Sequence, residues 1–470
     1  MNFDDNFAKN YARLNEKQKQ AVDQIDGPVL VIAGPGTGKT QLLSTRIANI
    51  LKKTDANPEN ILAMTFTESG AREMRERLAT IIGARAASGV GIHTYHGFAN
   101  QIYLSQREIF GDRQISDLEA LAFREQVLAS FSRNSYLNNG APKQSKDIVA
   151  LIHDLKRNDI SAQELREISE KNSLFAKKIN LKFATFDFSN LSSGSEETKI
   201  AAWADFANLF EVNSNVGKIP DLENVIGKEL RKLVFDAEQQ IRLDKEFRER
   251  DAKNKPVSPF KKLGAYKTKI SEKDKESQFI LNKSFSNSQL IEIAEFYEKY
   301  DLLKAENSLY DYDDMIENAK KILVEIPEIR NTLAEKYQYI LLDEFQDTNK
   351  SQLRLVELLT EEKINPNVMA VGDDDQGIMS FQGAEFSNMK DFADKFNVNK
   401  IISLTENYRS AEPIIEFAKN VIGGEKMADG QRDSDDGAGD RFVDDLRIRE
   451  KFPELTKDLT AARSIDECEI

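Results

Sequence analysis

The sequence predicts an α/β protein built on a parallel sheet and interrupted by a long helical segment, and three observations predict it. An apolar, β-branched run, Val29-Leu30-Val31-Ile32-Ala33, passes through glycines into Gly38-Lys39-Thr40 and then into helical periodicity over 41–51. Short apolar runs then alternate with helical stretches as far as Phe98, the pattern of parallel strands joined by crossover helices. About two hundred residues of helical period follow, after which strands of buried type resume at 337–342, 368–372 and 401–404. A sheet fed from both sides of a helical stretch implies that the stretch is an inserted domain.

Size and composition bound the function. A chain of 470 residues exceeds a single core and has length for several domains. It is 40% hydrophobic and 31% charged, and no run reaches the ~18 apolar residues of a membrane span. The acidic start, Met1-Asn2-Phe3-Asp4-Asp5, is not a signal peptide, so a cytoplasmic protein with no membrane partner is expected. One cysteine, Cys468, and three histidines, His93, His96 and His153, exclude a disulfide framework and argue against a thiolate or imidazole metal centre. The net charge of −14 is unevenly spread. Residues 101–300 carry roughly +1, which leaves room for a local basic track on an acidic protein.

Taken in order, residues 11–25 read as a short amphipathic helix containing Leu14-Asn15-Glu16-Lys17-Gln18. The Gln18 carboxamide offers a donor and an acceptor side by side, the pattern that matches the adenine N6/N7 edge. In Ala33-Gly34-Pro35-Gly36-Thr37-Gly38-Lys39-Thr40 the glycines let backbone N–H groups converge on phosphate oxygens, and the following helix aims its positive dipole end at them. Lys39 then reaches the β/γ-phosphates and the Thr40 hydroxyl ligates Mg²⁺. Ala33 stands where the strict pattern has glycine, while Gly34, Gly36 and Gly38 retain the turn. The next strand, 61–66, ends at Phe66, and Thr67-Glu68-Ser69 opens a helix with Arg72, Arg75 and Arg77 on its outer side. A third strand runs into Thr94-Tyr95-His96-Gly97. Phe66, Thr94 and His96 thus stand at the carboxyl ends of strands, where open α/β sheets bind ligands.

Within the insert, 116–131, 145–158, 200–212, 222–251 and 289–303 read as helices, with no sheet-core strands. Lys253, Lys255, Lys261, Lys262, Lys267, Lys269, Lys273 and Lys275 are interleaved with Phe260 and Tyr266, which places phosphate-neutralising charges and base-stacking rings in one stripe. Beyond the insert, 337–342 is a strand leading into Asp343-Glu344. Asp343 is placed to hold Mg²⁺ through its water shell, and Glu344 to orient and deprotonate an attacking water. After the strand at 368–372, Gln376 is placed to sense a γ-phosphate, and Met379 and Phe381 to meet a base. Tyr408 offers an aromatic plate for adenine and Arg409 a guanidinium for phosphate charge. From Gly423 onward Gly, Asp and Arg dominate, which predicts a poorly ordered acidic tail.

Seven segments, in one order, resemble the UvrD/Rep/PcrA group of superfamily 1 DNA helicases. LNEKQKQAV resembles the Q motif, AGPGTGKT motif I, MTFTESGAREMRERL motif Ia, Thr94-Tyr95-His96-Gly97 motif Ib, LLDEFQDT motif II, VGDDDQGIMSFQGA motif III and LTENYRS motif IV. Tyr310-Asp311-Tyr312-Asp313-Asp314-Met315 also resembles the acidic segment that the group carries ahead of motif II. The resemblance implies two RecA-like domains, each with an inserted helical domain, and ATP-driven 3′ to 5′ movement on single-stranded DNA. It implies an ATP site of Gln18, Gly34, Gly36, Thr37, Gly38, Lys39, Thr40, Arg75, Asp343, Glu344, Gln376, Tyr408 and Arg409, with Mg²⁺ on Thr40 and Asp343. It implies DNA contacts from Phe66, Thr94, His96, Met379 and Phe381, and as partners single-stranded DNA, single/double-strand junctions and repair or replication proteins.

On that template, 1–100 and 305–398 form the first RecA-like ATPase domain and 101–304 its insert, while 399–422 open a second RecA-like domain and 423–470 form the tail. Met379 and Gln382 stand where the group presents Tyr and Arg, which puts the contact normally given by that arginine in question. Nothing resembles motifs V and VI, so the sequence reads as an incomplete chain. Two other readings share these motifs: an ATP- and DNA-binding regulatory module without helicase activity, and the helicase subunit of a recombination helicase–nuclease.

Overall fold

Every residue of the strand β1 (Val29–Ala33) is buried, as a strand covered by helices on both faces requires. The computed structural model describes residues 3–106, 113–138, 143–211, 222–242, 257–282, 288–373, 387–422 and 459–462. The chain divides into two units, one of Met1–Ser116, Ala150–Asp159 and Lys304–Ile470, the other of Asp117–Val149 and Ile160–Leu303.

The first unit is organised on a six-stranded sheet. Its further strands are β2 (Ile61–Thr65), β3 (Gly91–Thr94), β4 (Tyr339–Leu342), β5 (Asn367–Gly372) and β6 (Ile401–Leu404). They lie in the order β6-β1-β5-β4-β2-β3, and every pairing is parallel. Strand alternation divides the apolar side chains between two cores. Leu30 and Ile32 join Leu62, Met64, Ile340 and Leu342 on one face, against Tyr95, Phe98 and the helices Tyr312–Glu325 and Lys350–Thr360. Val29, Val31 and Ala33 join Ala63 and Leu341 on the other, against the helices Glu16–Asp23, Lys39–Lys53 and Glu68–Ile82. Each fully buried aliphatic side chain contributes about 1.5–3 kcal/mol, so the sheet is the rigid base on which the loops at its carboxyl rim are held.

Two boundaries differ from expectation. β6 was expected to open a second sheet; instead it pairs with β1, from Leu30 opposite Ile401 to Ala33 opposite Leu404, and is the edge of this one. Ala150–Asp159, expected inside the insert, belongs with the sheet unit. Most of the expected acidic tail lies outside the described residues, but Thr460–Ala461 pairs parallel with Glu406–Asn407.

The second unit is mainly helical. Phe175, Ile179, Phe183, Trp203, Phe206, Phe210, Leu230 and Leu263 form its own core. Its longest described helix, Ala162–Thr185, was not foreseen; Ser169 and Asn172 occupy buried places in its stripe and break the apolar period that would announce it. A short hairpin, Ser271–Lys273 with Phe279–Leu281, was also unforeseen.

Candidate active site

The phosphate loop follows β1 directly. Gly36 and Gly38 adopt φ of 72° and 83°, a region that side chains disfavour. A Cβ on Gly36 would also stand 2.5 Å from Asn407 Oδ1. Gly38 caps the helix Lys39–Lys53 with no side-chain bond to its first turn, so the N–H groups there remain for an anion. The buried Thr37 hydroxyl donates to the Gly34 carbonyl at 2.7 Å and fixes the turn from within. Gln18 Nε2 donates to the Thr37 carbonyl at 2.8 Å, while its Oε1 accepts from the Asn15 N–H at 3.0 Å. Its carboxamide is thus engaged by the loop and by the capping box that starts its own helix; reading an adenine edge requires one of these bonds to be exchanged.

Across β5 from the loop, β4 delivers the two carboxylates. Lys39 Nζ lies 3.1 Å from Glu344 Oε2, so residues from opposite ends of the sequence meet at one rim. Glu344 has a left-handed backbone, φ 46°, which costs a non-glycine residue of order 1 kcal/mol or more and is a mark of functional sites. Asp343 is 4% exposed. Burial, then the adjacent Glu344 charge, push its carboxyl up to about 7, against the opposing pull of Lys39. Asp347 is pushed up to about 6, by burial and again by Glu344. Excess negative charge at this rim suits a cation. Thr40, half-buried in the first turn of the loop helix, and Asp343 offer it hard oxygen donors. Among the described residues no group of three or more His, Cys, Asp or Glu side chains converges as a metal cage. A small donor set of this kind fits Mg²⁺ that keeps water and phosphate oxygens as its other ligands.

Gln346 was not singled out from sequence. It is 6% exposed, donates from Nε2 to Glu344 Oε2 at 2.7 Å and accepts the Asp373 N–H on Oε1 at 3.0 Å. It therefore ties the glutamate to the end of β5. Asn407 was also missed. Its Nδ2 donates to the Pro35 carbonyl at 2.8 Å, and its Oδ1 accepts the N–H groups of Arg409 and Ser410, both at 2.8 Å. The Tyr408 N–H donates to the Gly36 carbonyl at 2.8 Å. These bonds lay the 406–410 segment on the phosphate loop. The Tyr408 hydroxyl donates to Glu406 Oε2 at 2.8 Å and accepts from Asn15 Nδ2 at 2.9 Å; burial and Glu406 push its pKa up to about 12.

Arg75 does not join this group. Its Nη2 donates to the Ile92 carbonyl of β3 at 2.7 Å, on a strand separated from β1 by β5, β4 and β2. The nearby arginine is Arg77, whose Nη1 stands 3.3 Å from Oε1 of Gln41 in the loop helix. Gln376 lies outside the described residues, as do Met379 and Phe381.

On the β2–β3 side of the rim, Phe66 is half-buried just past its strand. The Thr94 hydroxyl donates to Glu68 Oε1 at 2.9 Å and accepts the Gly97 N–H at 3.0 Å, so it caps the helix Tyr95–Leu104. His96 stacks on Tyr312 with ring centroids 3.8 Å apart, and burial lowers its pKa to about 4. Tyr312, 53% exposed, is a further residue that sequence reasoning passed over. In the second unit, Lys253 and Lys255 of the basic stripe lie outside the described residues. The helix Lys261–Ile270 and the hairpin hold the rest, with Lys267 Nζ 4.6 Å from the Phe279 ring centre and Lys273 Nζ 5.3 Å from it. Among the described residues no helix is long and apolar enough to cross a membrane.

Known proteins are similar to this chain over most of its length. A probable DNA helicase II homolog of Rickettsia felis is 28% identical over 419 residues, which is 89% of this chain and 46% of that protein. DNA helicase II of Rickettsia typhi is 28% identical over 415 residues, 88% of this chain and 45% of that one. The ATP-dependent DNA helicase PcrA of Staphylococcus aureus is 25% identical over 409 residues, 87% of this chain and 40% of PcrA. The chain thus spans less than half the length of these relatives. The description of the UvrD/REP helicase N-terminal domain fits residues 14–214 and 218–397. With the loop lysine and the strand-end glutamate joined at one rim and most of its length matched, the chain belongs to the UvrD/Rep helicase N-terminal domain family.

Proposed function

We propose that this chain is the ATP-hydrolysing, DNA-engaging part of a helicase that moves 3′ to 5′ along single-stranded DNA. The observation that carries the proposal is the Lys39–Glu344 pair at 3.1 Å. Glu344 pairs with Lys39; a triphosphate in the loop would compete for Lys39 and leave Glu344 Oε2 to accept a proton from water, with Gln346 still holding the side chain. Gly34, Gly36, Thr37 and Gly38 shape the cradle, Lys39 meets the β/γ-phosphates, and Gln18 and Tyr408 border the base. Thr40 and Asp343 would hold Mg²⁺, which when bound neutralises phosphate charge. Arg409 leaves the loop-docked segment as the arginine for transferred charge, joined by Arg77 in place of Arg75. Phe66, Thr94 and His96, with Tyr312, would meet single-stranded DNA, together with Met379 and Phe381.

The test is Glu344→Gln. Removal of a general base costs about 10² to 10⁴ in turnover, so DNA-stimulated ATP hydrolysis falls by that factor while a fluorescent ATP analogue binds as before. Undiminished hydrolysis in the variant would overturn the assignment of Glu344. Absence of hydrolysis in the parent chain, with nucleotide still bound, would favour the non-hydrolysing regulatory module.

A further inference from the structure

Ahead of β4, two lysines and two aspartates meet out of water. Lys156 and Lys304 are each 2% exposed, Asp311 and Asp314 each 8%. Lys156 Nζ lies 2.5 Å from Asp314 Oδ1 and 3.8 Å from Asp311 Oδ2. Lys304 Nζ lies 2.6 Å from Asp311 Oδ2 and 2.5 Å from Asp314 Oδ2. The aspartates also cap one another's backbone, since the Asp311 N–H donates to Asp314 Oδ2 at 2.8 Å and the Asp314 N–H to Asp311 Oδ1 at 2.9 Å. Charge sums to zero and the donors are matched to acceptors. Burial raises the Asp311 carboxyl, but Lys156 and Lys304 outweigh it and hold it below the ordinary range.

Stability alone does not account for such a cluster, because apolar residues of equal volume would serve as well or better. Its position offers another reason. Lys156 sits in the last turn of the helix Lys143–Arg157, and Lys304 in the last turn of the helix Ser288–Glu306. The chain passes from one unit to the other just after Lys156, at Asp159/Ile160, and back just before Lys304, at Leu303/Lys304. The aspartates open the helix Tyr312–Glu325, so two lysine-bearing helix ends face one acidic helix start, the favourable sense for the dipoles. Between the aspartates stand Tyr312, stacked on His96, and Asp313, whose Oδ1 accepts from Arg157 Nε at 3.2 Å.

We infer that the Lys156–Lys304–Asp311–Asp314 cluster is a positioning device for the nucleic-acid face: it fixes the start of the Tyr312 helix so that Tyr312 and His96 present one preformed stacking surface to a base. The inference rests on the proposed role of His96 and Tyr312 in binding single-stranded DNA. The lysines touch carboxylates rather than phosphates, so they act through geometry and not through charge on DNA.

The test neutralises the cluster at near-constant volume with Lys156→Met, Lys304→Met, Asp311→Asn and Asp314→Asn together, the asparagines preserving the helix cap. Affinity for a thymidylate oligonucleotide should fall about tenfold while the fluorescent ATP analogue binds unchanged. The dependence of log K on log salt should keep its slope, because no phosphate contact is removed. Unchanged DNA affinity would overturn the inference. So would a slope reduced by about 0.7 per lysine, the mark of direct phosphate contacts. If the fourfold variant does not fold, Lys156→Met with Asp314→Asn is read by the same three measurements. His96→Ala and Tyr312→Ala in the parent chain are the separate control: if neither weakens DNA binding, the stacking face itself is wrong, whatever the cluster does.

Discussion

Arg75 and Arg77 lie two places apart on one helix and therefore point about 200° from each other. Only Arg77 looks toward the phosphate loop, through Gln41. Replacing Arg77 with alanine should lower ATP turnover at least ~10-fold, whereas Arg75→Ala should leave it within about 2-fold; steady-state ATPase assays separate the two. The sequence made the residue types legible here, but the choice between neighbours on one turn depends on helix phase, which a motif does not carry. Gln346 and Asn407 were illegible for a different reason: their work is to join backbone groups of segments far apart in the chain. His96 gives a pH signature. Burial holds its imidazole at about 4 against an ordinary 6.5, so between those values the unfolded chain takes up the proton and the folded chain does not. Stability attributable to this residue then falls as pH drops from 6.5 to 4. His96→Phe should flatten the thermal midpoint across that window, as measured by circular dichroism.

At the scale of elements, β1, its glycine turn and the helix after it were legible because three independent signals coincide: an apolar run, closely spaced glycines and a helical period. The helix Ala162–Thr185 was hidden by polar residues at buried places, although its start is marked by the Ser161–Glu164 capping box. The lysine stripe was legible as composition, but not as an element: it is a helix followed by a hairpin, with Lys267 Nζ 5.3 and 4.6 Å from the ring centres of Phe188 and Phe279, which stack on each other. Burial and Lys273 lower the Lys267 pKa. We expect neutralising Lys261, Lys262, Lys267 and Lys269 together to weaken DNA binding and to reduce the salt slope by up to about 0.7–0.9 per lysine engaged; titrations at several salt concentrations give the slope.

For the whole molecule, the division into a sheet unit and a helical unit was visible as a change of period, but the strand order was not. Periodicity says that β6 is a strand; only its register against β1 says which sheet owns it. Each unit carries its own core, so calorimetry should resolve two unfolding transitions rather than one. A non-hydrolysable ATP analogue at a hundred times its Kd should raise the transition of the sheet unit by about 2.7 kcal/mol and leave the other in place.

The place of β5 has a consequence for biosynthesis. It lies between β1 and β4, yet a ribosome delivers it after both. Until Asn367–Gly372 has emerged, the nascent polypeptide holds β1 apart from the β4-β2-β3 ladder, each with an unpaired apolar border. Lys39 and Glu344 cannot be brought into register before that moment. The protein is in this respect a late-closing assembly, whose vulnerable interval during translation invites chaperone protection.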